Sequence, residues 1–143
     1  METLVLPAVL DSLDAIARFV IDAAGAAGLS RKATYHLRLA VDEVATNIIT
    51  HGYEEAGDSG DIAISAALSG DALTITLEDS AVPFDPRSLA APPQLNEPLE
   101  ERPLGGLGVF LALKNVDGFD YARAGGKNRN TFIMRRQSVE AAG

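Results

Sequence analysis

Three features of the sequence predict an α+β architecture, a two-layer α/β sandwich in which helices cover one face of a mixed, mostly antiparallel sheet. Apolar residues recur at helical spacing in the first third of the chain. They alternate at strand spacing in two later pairs of segments. Between those pairs a glycine-opened helix follows a long proline-containing stretch. Hairpins set apart from helices bury one face of a sheet under one helical layer.

Each element has its own signal. Thr3 to Leu6 is a short β-prone run closed by Pro7. Asp11 or Ser12 is placed to cap a helix whose apolar face is Leu13, Ile16, Ala17, Val20 and Ile21. That helix ends near Ala24–Gly28, and Ser30 caps the next. In the second helix Leu37, Val41, Val44 and Ile48 form the buried stripe, and Gly52 marks its end. Gly57 to Gly60 is a break. Ile62, Ile64, Ala66 and Leu68 alternate, as do Leu73, Ile75 and Leu77, with Gly70–Asp71 as the hairpin turn between them. The stretch from Glu78 to Pro86 ends the second strand. A loop of about 87–105, holding Pro92, Pro93, Pro98 and Pro103, is long enough to be a lid. Leu104-Gly105-Gly106-Leu107-Gly108 then opens a helix over about Val109 to Asn115. Phe119, Tyr121 and Ala122 predict a strand, and Ala124 to Arg129 a basic turn. Thr131 to Arg136 is the last strand, with Phe132 and Met134 on one face; residues 137–143 are expected to fray.

Composition narrows the function. The 143 residues suit one domain with one core. Lys plus Arg is 12 and Asp plus Glu is 20, giving a net charge of -8. Nonspecific binding to nucleic acid or anionic lipid needs a basic footprint that this chain lacks. There are no cysteines, so thiolate chemistry, disulfides and Cys-based zinc sites are excluded. Two histidines, His36 and His51, are too few for an imidazole-built metal centre. No run approaches the roughly 18 apolar residues of a membrane span, and a cytoplasmic location is expected.

Chemistry concentrates in three stretches. Glu43 and Asn47 lie one turn apart beside the apolar stripe of the second helix. A carboxylate there can take a proton, and a carboxamide can offer oxygen to Mg²⁺. Asp79 closes a strand. Glycines at the start of a helix let backbone N–H groups approach an anion, with the dipole in support. The glycine run is neither a Walker A sequence nor a dinucleotide fingerprint.

These stretches, in this order, resemble the GHKL (histidine-kinase-like) ATPase superfamily. Within it the chain is similar to the anti-sigma-factor serine/threonine kinases. LRLAVDEVATNIITHGY resembles their N-box, EDSAVPFDP their adenine box, PLGGLGVFLALKNVD their phosphate box and NRNTFIMRR their closing strand. The resemblance implies a Mg²⁺-dependent protein kinase using ATP. Glu43 would be the general base and Asn47 the Mg²⁺ ligand. Asp79 would accept the adenine amino group. Gly105, Gly106, Leu107 and Gly108 would meet the phosphates, Arg102 would belong to the lid, and Thr131 would add a hydrogen bond near adenine. Ala81 stands where the family usually has glycine, adding a methyl beside the adenine site. The resemblance also implies a homodimer that binds a sigma factor or similar target and phosphorylates a STAS-domain antagonist. Two rivals stand beside this reading. One is a non-catalytic interaction module that kept the fold. The other is the detached ATPase domain of a sensor histidine kinase.

Overall fold

The computed structural model describes residues 2–88 and 106–136. Its elements are β1 (Glu2–Pro7), α1 (Leu13–Ala27), α2 (Arg31–Asn47), β2 (Asp61–Ser69), β3 (Ala72–Asp79), α3 (Gly106–Lys114), β4 (Gly118–Ala124) and β5 (Lys127–Arg135). The strands form one sheet in the order β1-β2-β3-β5-β4. All four pairings are antiparallel, so the expected mixed sheet has no parallel pair among the described residues. Two hairpins fix two of these pairs. β5 then runs back along β3 and joins them into one sheet.

The helices cover one face of the sheet. Ile16, Val20 and Ala24 of α1 and Leu37, Val41 and Val44 of α2 are fully buried. They meet Ile62 and Ile64 of β2, Leu73, Ile75 and Leu77 of β3, and Phe132 of β5 in one core. Strand alternation assigns the faces. On β3, Leu73, Ile75, Leu77 and Asp79 point to the helices, while Thr74, Thr76 and Glu78 point away.

Local signals were obeyed with two exceptions. Ser30 caps α2 by accepting from the Ala33 amide at 3.1 Å. Gly28 ends α1 in the left-handed region at φ 77°. Ser12, in contrast, makes no capping bond; its hydroxyl is turned back to donate to the Pro7 carbonyl at 2.7 Å. Gly52 does not end the second helix either. After Asn47 the chain continues as a π-helix over Ile48–Glu54. Such wide turns gather at functional sites. Most of the expected lid and the tail at 137–143 lie outside the described residues. Among the described residues, no helix is long and apolar enough to cross a membrane.

Candidate active site

The end of α2 forms one wall. Asn47 is 6% exposed, and its Nδ2 has no hydrogen-bond partner among the described residues. One turn earlier, Glu43 leans against the first turn of α3. A Cβ placed on Gly108 would land on Glu43 Oε1 and lie 3.1 Å from its Cδ. Glycine allows that approach without displacing the carboxylate. Burial, and then the neighbouring Asp42, push the Glu43 carboxyl above the usual range. A carboxylate is therefore held where the orphan N–H groups of a helix start are found.

The end of β3 forms the other wall. Asp79 is 3% exposed. Its Oδ1 accepts from the Ala81 amide at 2.9 Å and from Asn128 Nδ2 at 2.8 Å. Its Oδ2 is buried with no partner among the described residues. Burial raises the Asp79 carboxyl; Asn128, the Ala81 amide and Arg123 oppose the rise without cancelling it. A buried acceptor left open on an otherwise satisfied carboxylate fits a ligand that brings a donor. Asn130, on the same face of β5 as Asn128, likewise has a buried Oδ1 without a partner among the described residues.

The helix joins the two walls. α3 touches it at Glu43, and the chain beyond β3 touches its π-helical extension at Gly52 and Tyr53. A Cβ on Gly52 would lie 2.9 Å from the Ala81 Cβ. The Tyr53 hydroxyl accepts from the Ser80 amide at 2.8 Å and donates to the Asp61 carbonyl at 3.1 Å. Positions 43 and 52 are separated by roughly 13 Å along the axis, so the arrangement suits an elongated ligand with distinct ends.

Glu43 thus meets Gly108; Ala81 and Asp79 adjoin the π-helical end of the same helix, Asn47 lies between these two points along it, and Gly106 begins α3. Arg102 and Gly105 lie outside the described residues. Thr131 is not brought to this region. It pairs with Thr76, on the face of the sheet turned away from Asp79. The inward residues at this end of β5 are Asn128 and Asn130, both at most 2% exposed. Sequence reasoning missed these two. The signal was there: Asn128, Asn130, Phe132 and Met134 alternate, so two polar residues occupy core-facing positions. Ala81 also resolves. Its methyl belongs to the core and packs toward Gly52. His51 meets Glu55 at 2.9 Å one turn on. Arg123 donates to the Ala81 carbonyl, and Arg129 pairs with Glu78.

A helical layer over an antiparallel sheet, with a helix carrying Glu43 and Asn47 beside a glycine-opened one, defines a two-layer α/β sandwich. Residues 6–136 match the family described as "Histidine kinase-like ATPase domain", and the chain belongs to that family. It is 34% identical over 111 residues to the serine-protein kinase RsbW of Bacillus cereus (strain AH187), covering 75% of this chain and 68% of that protein. The serine-protein kinase RsbW of Bacillus thuringiensis subsp. konkukian is 33% identical over the same shares. Among solved structures, the RsbU and RsbW domains of a Mycobacterium tuberculosis protein align with a TM-score of 0.61 at 17% identity. That alignment covers 94% of this chain but only 32% of the other. The histidine kinase domain of an Erythrobacter litoralis blue-light activated histidine kinase aligns at 0.51 and 18%, covering 87% of this chain and 59% of that one. These two likenesses support the fold.

Proposed function

We propose that this protein is an ATP-dependent protein serine/threonine kinase acting as an anti-sigma factor in a partner-switching system. The observation that carries the reading is the Glu43 carboxylate, held against the glycine-opened start of α3 on the same helix as Asn47. In this reading the adenine amino group donates to Asp79 Oδ2. Asn130 supplies the second contact on the adenine side that was expected of Thr131. Backbone N–H groups from Gly105 to Gly108 meet the phosphates, and Arg102 belongs to the lid over them. The Asn47 carboxamide is a fitting Mg²⁺ ligand, since that ion takes one or two protein oxygens beside phosphate and water. When bound, Mg²⁺ would neutralise phosphate charge. Glu43 orients the incoming serine or threonine hydroxyl and takes its proton as the terminal phosphoryl group passes from ATP to the oxygen, leaving ADP.

The substrate in this reading is a STAS-domain antagonist, and the sequestered partner is a sigma factor or similar regulator. The protein works as a cytoplasmic homodimer. Phosphate adds about −1.5 to −2 charges to the antagonist. Against a chain of net charge -8 that addition favours release. The non-catalytic alternative draws on Ala81, whose methyl packs in the core beside the proposed adenine site; phosphoryl transfer separates the two readings.

The test is phosphoryl transfer from labelled ATP with Mg²⁺ to a STAS-domain partner. Glu43→Gln should lower the rate by about 10²–10⁴ while ATP still binds. Asn47→Ala should abolish Mg²⁺-dependent turnover with the fold intact. Full activity in Glu43→Gln would place the base elsewhere.

A further inference from the structure

Asn128 is the centre of the buried polar bonds around Asp79. It is 2% exposed and stands directly opposite Asp79 in the β3–β5 register. Its Nδ2 donates to Asp79 Oδ1 at 2.8 Å, to the Val82 carbonyl at 3.0 Å and to the Ala81 carbonyl at 3.2 Å. Its Oδ1 accepts from the Tyr121 hydroxyl, which accepts in turn from the Phe84 amide at 3.2 Å. A carboxamide engaged at both ends cannot turn over without losing bonds on each side. Asn128 therefore ties the end of β3, the loop that follows it and β4 into one rigid unit.

We propose that Asn128 is a positioning residue for base specificity, holding Asp79 as a pure acceptor with Oδ2 open. This rests on the ATP reading above. Adenine offers an amino donor at its six-position, where guanine offers a carbonyl acceptor. An ionised carboxylate only accepts, and so repels the guanine oxygen. A protonated carboxyl carries an O–H donor and would welcome it. Selectivity thus depends on keeping Asp79 ionised within a buried site. Burial works against this, and three groups work for it: Asn128, the Ala81 amide and the Arg123 guanidinium from β4. The other titratable groups beside this unit are engaged elsewhere. The Tyr53 hydroxyl from the π-helix holds Ser80 and Asp61, and Tyr121 from β4 holds Asn128 itself. Among the described residues Asn128 contributes the one side-chain hydrogen bond to Asp79, and it also pins the carboxylate plane.

The experiment measures ATP and GTP affinity by calorimetry across pH for wild type, Asn128→Ala and Asn128→Asp. The aspartate variant keeps the shape, removes the donor and sets a second acid against Asp79. In both variants the preference for ATP over GTP should fall by at least about tenfold, the size of one charge-assisted hydrogen bond. The pH below which discrimination fails should move upward. If Asn128→Ala does not fold, Tyr121→Phe frees one end of the carboxamide and should shift both readouts the same way by less. Folded variants with wild-type preference and an unmoved pH midpoint would overturn the proposal. So would equal losses for both nucleotides, the signature of a merely structural role. A wild type that binds neither nucleotide overturns the ATP reading itself. A selective wild type beside selective variants overturns the Asn128 proposal alone.

Discussion

The β2–β3 and β4–β5 hairpins share a sheet but turn different chemistry toward the helices. β2–β3 presents Ile62, Ile64, Leu73, Ile75 and Leu77, all at most 2% exposed, and only at its far end the acid Asp79. β4–β5 is divided. One half carries Phe119 and Phe132, packed edge to face with ring centroids 5.1 Å apart, and Met134. The half nearer the turn carries Asn128 and Asn130 on β5, with Tyr121 and Arg123 across the ladder on β4. The turns differ too. Gly70 alone has positive φ in the first, whereas Gly125 and Gly126 both do in the second, which marks the type I′ turn. One hairpin is therefore almost wholly a stability element. The other gives up half of its inner face to polar groups, of which Asn130 Oδ1 is left without a partner among the described residues. The candidate site lies along the seam where Asp79 of the first meets Asn128 of the second.

The strongest way to break this division is to damage the apolar hairpin. Ile75→Ala removes a fully buried side chain from the middle of β3. It should cost about 2–5 kcal/mol in chemical unfolding. The ratio of ATP to GTP affinity should not move, because Asp79 and its partners stay in place. A change in that ratio in a folded Ile75→Ala protein would show that the two functions are not separable. A smaller effect tests the junction with the π-helix. Gly52→Ala would bring two methyl carbons within 2.9 Å across the contact with Ala81. Destabilisation of about 1–3 kcal/mol is expected. Adding Ala81→Gly should recover most of it, read as a non-additive double-variant cycle. Additive losses would mean that the two residues do not share the space.

Periodicity made the core legible. The stripe of Leu37, Val41 and Val44 and the alternation in both hairpins placed the helical layer and its sheet, and the four motif stretches placed Glu43, Asn47 and Asp79. Three things were harder. The π-helix leaves no mark in residue type, because Ile48 to Tyr53 suits either winding and only the hydrogen-bond step differs. Ser12 had two partners available, and the chain reversal after Pro7 decided for the carbonyl of that residue. Thr131 was chosen by motif resemblance, although alternation from Phe132 and Met134 already assigned it to the outer face and Asn130 to the inner one. The same alternation placed Asn128 on the inner face, but not its role, which comes from register with Asp79, 49 positions away in the chain. The partner of a side chain that acts across a ladder carries no local signature.

The smallest predicted effect sets the site against stability directly. Burial raises the Asp79 carboxyl above the ordinary aspartate value of 3.8 despite its partners. A raised acid binds its proton more tightly in the folded chain than in the unfolded one. Stability from this group is then fully present below the ordinary aspartate range and is lost as pH rises through the folded value. At neutral pH the folded protein carries the cost of a buried charge. Asp79→Asn keeps the side-chain volume and removes that cost, so the variant should melt higher than wild type at neutral pH. The gap should close as pH falls below the aspartate range, while ATP affinity drops because one acceptor has become a donor. Thermal melts over the roughly five pH units that span the titration, from about pH 3 to about pH 8, are the measurement. A variant less stable than wild type at neutral pH would mean that Asn128 and Arg123 outweigh desolvation. The polar half of the second hairpin would then be a source of stability as well as of function, and the contrast between the hairpins would be one of chemistry only.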